Sequence, residues 1–138
     1  MYTLSEMTME DYDGAYRLWQ NTEGMGLSSA DSREAIAAYL RRNEGLSYVC
    51  KYGGEIVGTV LCGHDGRRGF LYHAAVAESH RGRSLAGQLV SLSLAGLREQ
   101  GIEKCHLMVI KDNEIGKQFW ARAGWKRRDQ ILLYSQDT

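Results

Sequence analysis

Several common features are missing from this sequence, and most of these absences argue against a class of protein. Its 138 residues include no proline, which by itself points to no function. The 17 basic and 17 acidic residues leave no formal net charge, so we expect no nucleic acid as the main ligand. No apolar run reaches the roughly 18 residues that a membrane span needs, so we expect no membrane partner. The first residues lack a basic segment followed by an apolar one, so no signal peptide is expected.

Cysteine and histidine are too few and too scattered for a disulfide framework or a metal site. The cysteines form an odd set in apolar, strand-like contexts, at Cys50, Cys62 and Cys105. The histidines show no metal-ligand spacing and stand at His64, His73, His80 and His106. We therefore expect reduced thiols in a cytoplasmic protein, with no bound metal.

The hydrophobic pattern predicts a single α+β domain over residues 1–138, long enough to bury a core. The adjacent Gly53 and Gly54 predict a hairpin turn between two strands. The predicted elements are, in order, strand 1–7, helix 9–19, loop 21–30, helix 31–42, strands 46–52, 55–63 and 70–77, helix 84–99, strand 104–110, helix 113–123 and one or two strands within 125–134.

The stretch from residue 70 to residue 99 combines a buried strand, a short loop and a helix. Ser84 stands at the expected N-cap of that helix, whose first N–H groups lack helical partners and carry partial positive charge. Gly82 allows a ligand to approach closely, and Arg81 and Arg83 add full charges. These residues suit a phosphate or pyrophosphate. The alternative is an ordinary strand-to-helix junction with solvated arginines.

The segment 75–86, which reads A-V-A-E-S-H-R-G-R-S-L-A, resembles the acyl-CoA-binding segment of the GNAT family of N-acetyltransferases. The family pattern is Arg or Gln, two residues, Gly, one residue, then Gly or Ala. Here Ser84 replaces the middle glycine. The resemblance implies cofactor-binding roles for Ala75, Val76, Arg81, Gly82, Arg83, Ser84, Leu85 and Ala86.

A second segment, residues 113–125, resembles the family's pattern of Asn, two residues, Ala, three residues, Tyr, three residues, Gly and an aromatic residue. Gly116 stands in place of the alanine and Trp120 in place of the tyrosine. The matching residues are Asn113, Gly124 and Trp125. By this resemblance, Asn113, Phe119 and Trp120 bind the cofactor, the first two at its pantetheine or nucleotide part.

The two motifs together imply the GNAT fold, in which a mostly antiparallel sheet is flanked by helices and splays between its fourth and fifth strands. They imply transfer of an acetyl group from acetyl-CoA to a primary amine of a small molecule or a protein. The oxyanion donor would come from the fourth strand near Ala75 and Val76. Loop 21–30 either helps to form the acceptor site, through Glu23, Met25 and Leu27, or is a plain connection. Many family members dimerise, so a homodimer is possible.

The usual acid and base of the family are absent from their expected places. Trp120 replaces the tyrosine that protonates the leaving thiolate, and an indole cannot supply a proton near neutral pH. Met108 stands in the fifth strand, where some members carry a glutamate. Tyr72 and His73 on the fourth strand are the candidate catalytic residues, since an imidazole can act as a base near neutral pH. Either could instead be an ordinary packed strand residue.

Two other functions are compatible with these residues. The first is a non-catalytic acyl-CoA-binding or sensing module on the same fold, which Trp120 and Met108 favour. The second is a phosphate- or nucleotide-binding domain with no link to coenzyme A. The acceptor, the acyl chain preference and the oligomeric state are open at this level.

Overall fold

The computed structural model covers residues 1–138, which divide into two compact units, residues 1–108 and residues 109–138. The prediction of a single domain over residues 1–138 stays a prediction. The elements of the first unit are β1 Tyr2–Glu6, α1 Tyr12–Gln20, α2 Arg33–Arg42, β2 Tyr48–Tyr52, β3 Glu55–His64, β4 Gly69–Val76, α3 Leu85–Glu99 and β5 Cys105–Leu107. The second unit contains α4, Glu114–Arg122. Single turns of 3₁₀ helix lie at Met9–Asp11, Ser29–Asp31 and Glu78–His80.

The five strands form one sheet in the order β1-β2-β3-β4-β5. The first three pairings are antiparallel and the β4–β5 pairing is parallel. The hairpin between β2 and β3 turns at Gly53 and Gly54, which have φ values of 59° and 83°, as a Gly-Gly turn permits. The β4–β5 pairing joins only Gly69–Leu71 to Cys105–Leu107, so the remainder of β4 has no β5 partner. The predicted α+β fold with a mostly antiparallel, splayed sheet is confirmed.

Helices cover both faces of this sheet. On one face α1 and α2 bury a cluster formed by Met7, Tyr12, Ala15, Trp19, Ile36, Val49 and Leu61. On the other face α3 packs closely over strand glycines. A Cβ on Gly69 would lie 2.6 Å from Leu97 Cδ1, so only glycine lets α3 approach this closely there. The sheet therefore has a core on both faces, and beyond Leu71 the edge of β4 that faces away from β3 pairs with no strand.

The C-terminal residues differ from their sequence prediction. Residues 125–134 contain no strand, so the prediction of final strands was wrong. The apolar side chains there are from 57% to 87% exposed, at Ile131, Leu132, Leu133 and Tyr134. An apolar run forms a strand only where another edge accepts its backbone hydrogen bonds, and no strand pairs with this one. β5 is likewise shorter than the predicted strand 104–110. No helix has both the length and the hydropathy to cross a bilayer.

Candidate active site

The loop between β4 and α3 presents an open helix N-terminus to solvent. Gly82 has a φ of 81° and Ser84 a φ of 63°, and alternation of this kind turns successive N–H groups toward one concavity. The first hydrogen bond of α3 runs from Gln88 N to Ser84 O over 3.1 Å. The N–H groups of residues 82–87 have no acceptor within the chain, and those of Leu85, Ala86 and Gly87 belong to the first turn of α3. The exposed loop residues are Arg81, Gly82, Arg83 and Ser84. This concavity can bind an anion such as a diphosphate.

Ser84 occupies the helix start as predicted, but it does not cap the helix with its side chain. No N–H group donates to its hydroxyl, and its backbone is left-handed, with φ 63° and ψ 19°. A left-handed backbone costs a non-glycine residue about 1–2 kcal/mol. The family pattern has glycine here, and the backbone gives the physical reason.

The two arginines of the loop have different surroundings. Arg81 Nε donates to Val76 O over 3.0 Å, so this side chain braces the turn at the end of β4. Arg83 has no acidic partner, and its Cζ lies 5.8 Å from the centre of the Tyr2 ring. The Tyr2 hydroxyl lies 2.8 Å from His80 Nδ1, which anchors the loop to β1. Neither arginine has an acidic partner, but Arg83 makes no hydrogen bond within the chain, so its guanidinium is free to contact an anion.

The edge of β4 that faces away from β3 carries free backbone groups near this loop. Ala77 N donates to Val57 O over 2.8 Å, so the N–H of Ala77 faces β3. Neighbouring residues of a strand direct their N–H groups to opposite edges. The N–H of Val76 therefore lies on the open edge, on the same side as its carbonyl, which Arg81 contacts. The N–H of Ala75 faces β3. Of the two residues expected to supply an oxyanion donor, Val76 has the suitable direction.

A β-bulge interrupts β4 at His73. His73 and Ala74 together face the single residue Val60 of β3, and His73 has a φ of 48°. Positive φ is uncommon for a residue other than glycine and persists only where the surroundings hold it. Here the Thr59 hydroxyl donates to His73 O over 2.8 Å, and Trp19 Nε1 donates to Thr59 Oγ1 over 2.9 Å. Trp19 and Thr59 are both buried, so the backbone of His73 is held from inside the core.

The imidazole of His73 contacts a buried carboxylate. His73 Nε2 lies 2.7 Å from Asp31 Oδ1, and the two side chains are only 13% and 8% exposed. Asp31 Oδ2 accepts from Ser28 N over 3.0 Å. The Trp19 ring centre lies 4.6 Å from that of His73. His73 Nδ1 has no hydrogen-bond partner in the chain, so this nitrogen can accept a proton when the ring is neutral.

Sequence reasoning missed the contact that Asp31 makes with His73. The sequence predicted only a helix over residues 31–42, which would begin at Asp31. Ser32 Oγ caps α2 by accepting from Ala35 N over 3.2 Å, and Asp31 belongs to the capping box of the preceding 3₁₀ turn. The two residues of the pair are 42 positions apart in the chain. An acidic residue beside a helix start gives no signal of such a partner.

Tyr72, the neighbour of His73, lies on the same face of the sheet as α1 and α2. Its ring centre is 6.5 Å from that of Tyr39 in α2, and its side chain is 39% exposed. Partial burial raises the pKa of the Tyr72 hydroxyl above its usual value. The group therefore keeps its proton at neutral pH. The two candidate catalytic residues are thus adjacent and lie on one face.

The segment expected to contact the acceptor borders this face. Met25 and Leu27 are half-buried against the core cluster of α1 and α2, whereas Glu23 is exposed. Only these two side chains attach the segment to the core, and most of its other residues are exposed. Its acceptor-binding role stays a prediction.

The residues of the second motif lie in the unit 109–138. Asn113 caps α4, because its Oδ1 accepts from Gly116 N over 2.9 Å. A Cβ on Gly116 would lie 2.6 Å from Asn113 Nδ2, so glycine leaves room for this cap. The ring centre of Trp120 is 4.9 Å from that of Phe119 and 5.3 Å from that of Trp125. The cofactor roles of Asn113, Phe119 and Trp120 stay predictions.

Comparisons with known proteins identify the family. The model of the acetyltransferase (GNAT) family matches residues 6–125. An acetyltransferase of Pectobacterium atrosepticum is 34% identical over 124 residues, which cover 90% of this chain and 87% of that protein. An acetyltransferase of Sodalis glossinidius is 29% identical over 124 residues, with the same coverage of 90% and 87%. The PaiA N-acetyltransferase of Thermoplasma acidophilum, solved in complex with coenzyme A, has a TM-score of 0.79 at 16% identity, over 94% of this chain and 92% of that one.

These matches place the chain in a class of acyl-transferring enzymes. The chain belongs to the GNAT acetyltransferase family, as the resemblance of its two motifs implied. It is an acetyl-CoA-dependent N-acetyltransferase. The solved structure, at 16% identity, supports the fold alone.

Proposed function

We propose that this enzyme transfers the acetyl group of acetyl-CoA to a primary amine of a small molecule or a protein, with His73 as the general base. One observation carries the proposal: a nearly buried imidazole with a free Nδ1 lies on β4, within three residues of the open strand edge at Val76. An amine attacks only in its neutral form, and a lysine-like amine is mostly protonated at pH 7. A base at this position supplies the missing step.

The donor binds, in this proposal, at the loop between β4 and α3. The unpaired N–H groups of Leu85 and Ala86 and the charge of Arg83 hold the pyrophosphate, while Gly82 and Ser84 shape the backbone around it. When bound, acetyl-CoA supplies a thioester whose carbonyl oxygen gains negative charge during transfer. The N–H of Val76 on the open edge stabilises that charge. By family resemblance, Asn113 and Phe119 contact the pantetheine or nucleotide part, and Trp120 is a further cofactor-binding residue.

The proton transfers then balance without any further reagent. The amine nitrogen forms a bond to the acetyl carbon, and His73 Nδ1 accepts the proton that this nitrogen loses. The carbon–sulfur bond breaks, and Tyr72 delivers a proton to the departing sulfur and regains one from solvent. A thiol of coenzyme A type has a pKa of about 8.5, so its thiolate is a good leaving group and needs little assistance from an acid. Tyr72 thereby takes the role that Trp120 cannot perform.

The acceptor is proposed only as a class. The chain has no net charge and no acidic cluster, so nothing indicates a polycationic substrate. A small-molecule or protein amine fits the chain best. The free cysteines support a reducing, cytoplasmic location. A homodimer and the expected absence of nucleic-acid and membrane partners stay predictions.

The test measures binding and turnover separately. Calorimetric titration reports the affinity for acetyl-CoA, and a thiol reagent reports coenzyme A released in the presence of a panel of primary amines. We expect turnover that falls about 100-fold in His73→Asn while acetyl-CoA affinity is unchanged. Asparagine tolerates the left-handed backbone at this position. Binding without turnover on any amine would instead support the acyl-CoA-sensing module, and binding of ATP in preference to coenzyme A would refute both.

A further inference from the structure

The bulge at His73 holds its imidazole in one place by two independent sets of contacts. The hydrogen bonds from Trp19 to Thr59 and from Thr59 to His73 O fix the backbone. The Asp31 carboxylate, on the segment between α1 and α2, fixes the ring through Nε2. A buried strand histidine that only fills space needs neither a left-handed backbone nor a carboxylate. Strain held from two sides is typical of a positioned functional group.

Asp31 is itself held so that one oxygen is available to His73. Its Oδ2 accepts from Ser28 N over 3.0 Å, and its backbone carbonyl accepts from the Tyr12 hydroxyl over 2.5 Å. No lysine or arginine pairs with this carboxylate. A buried carboxylate without a cationic partner is costly, and His73 is the basic side chain that contacts this one.

We propose that Asp31 is a positioning residue for acetyl transfer, which holds His73 as the tautomer with its proton on Nε2 and leaves Nδ1 to accept the proton of the substrate amine. The inference rests on the proposed role of His73 as base. In the resting enzyme the carboxylate accepts a hydrogen bond from the Nε2–H group, and it stabilises the imidazolium once Nδ1 is protonated. In this proposal Asp31 acts only through its hydrogen bond to His73.

The first experiment observes the tautomer directly. Long-range ¹H–¹⁵N spectra at about pH 8.5, where free imidazoles are neutral, report which ring nitrogen carries the proton. The His73→Asn spectrum assigns the His73 signals among the four histidines. We expect a single Nε2–H tautomer in the wild type and a mixture in Asp31→Asn. A proton on Nδ1 in the wild type would overturn the proposal. This measurement needs no acceptor amine.

The second experiment is kinetic. Asp31→Asn keeps the side-chain size and an oxygen for Ser28 N, so the turn before α2 should survive, which its melting curve checks. We expect kcat to fall about 10- to 100-fold with KM for acetyl-CoA unchanged. Asp13→Asn, the same change at an exposed acid of α1, is the matched control and should leave kcat unchanged. A kcat within twofold of the wild type in Asp31→Asn would refute the positioning role.

A double-variant cycle separates positioning from a purely structural contribution. If Asp31 acts through His73, then adding Asp31→Asn to His73→Asn should lower kcat by less than about twofold more. An undiminished loss in that background would show that Asp31 acts by another route. Failure of the two proposals is distinguishable. Wild-type enzyme inactive on every amine overturns the proposed function, whereas active wild type with an unaffected Asp31→Asn overturns only this inference.

Discussion

Replacing Ser84 by glycine should stabilise the protein, although the same change in a helix normally destabilises. Ser84 holds a left-handed backbone with φ 63° and makes no capping hydrogen bond through its side chain. Glycine removes a strain of about 1–2 kcal/mol. It also adds about 0.4–1 kcal/mol of unfolded-state entropy that folding must overcome. The net expectation is a gain of about 0.5–1 kcal/mol in the free energy of unfolding.

The matched control is Ser91→Gly in the same helix. Ser91 is exposed within α3, so glycine there loses helix propensity and should cost about 0.5 kcal/mol. Urea denaturation followed by far-ultraviolet circular dichroism gives both values, and the Tm of Ser84→Gly should rise by about 2–4 °C. The two substitutions are thus expected to have opposite signs.

The outcome also bears on the anion site. If Ser84→Gly destabilised the protein as much as Ser91→Gly, then either Ser84 would not have a left-handed backbone or its side chain would cap α3. Since the proposed pyrophosphate contacts use N–H groups of α3, Kd for acetyl-CoA should change by less than about threefold, or about 0.7 kcal/mol. A larger loss would mean that the serine hydroxyl binds the ligand directly.

Three further predictions concern the loop, the core and the thiols. Arg83→Glu should weaken acetyl-CoA binding about 10- to 100-fold, measured by calorimetry, because it removes a charge-assisted contact and adds repulsion. Gly69→Ala should lower the free energy of unfolding by about 1–3 kcal/mol in urea, because its Cβ would meet Leu97 Cδ1 at 2.6 Å. Cys105 should be alkylated first, since the neighbouring Cys62 thiol lowers the pKa of the Cys105 thiol, and its reaction should persist to lower pH than that of a free cysteine.

Each of these has an internal control. Arg67→Glu, at the exposed β3–β4 turn, should leave acetyl-CoA affinity unchanged. An equal loss of affinity in Arg67→Glu would show that Arg83 acts only through long-range charge and not through a direct contact. Gly26 has open space around the position of a Cβ and no positive φ, so Gly26→Ala should leave the free energy of unfolding unchanged or raise it slightly. Cys50 and Cys62 are buried, and burial raises the pKa of the Cys50 thiol. Alkylation of either before Cys105 would contradict the thiol assignment.

Local sequence patterns determined most elements of this fold. The Gly53-Gly54 pair marked the hairpin, Asn113 marked the start of α4, and the periodicity of residues 84–99 marked α3. These features depend on neighbours within a few positions, such as a turn that needs positive φ or a cap that needs an acceptor. The family motif in residues 81–86 is likewise a pattern of near neighbours in the sequence, so the sequence alone was enough to indicate the family.

The tertiary structure alone decided which groups meet and which conformations are held. The contact of Asp31 with His73, the left-handed backbones at His73 and Ser84, and the direction of the Val76 N–H all depend on sheet register and helix packing. The sequence of residues 131–134 predicted a strand, but these residues pair with no strand of the sheet. Propensity and pattern are properties of a segment, whereas pairing and buried charge are properties of what lies beside it after the chain folds.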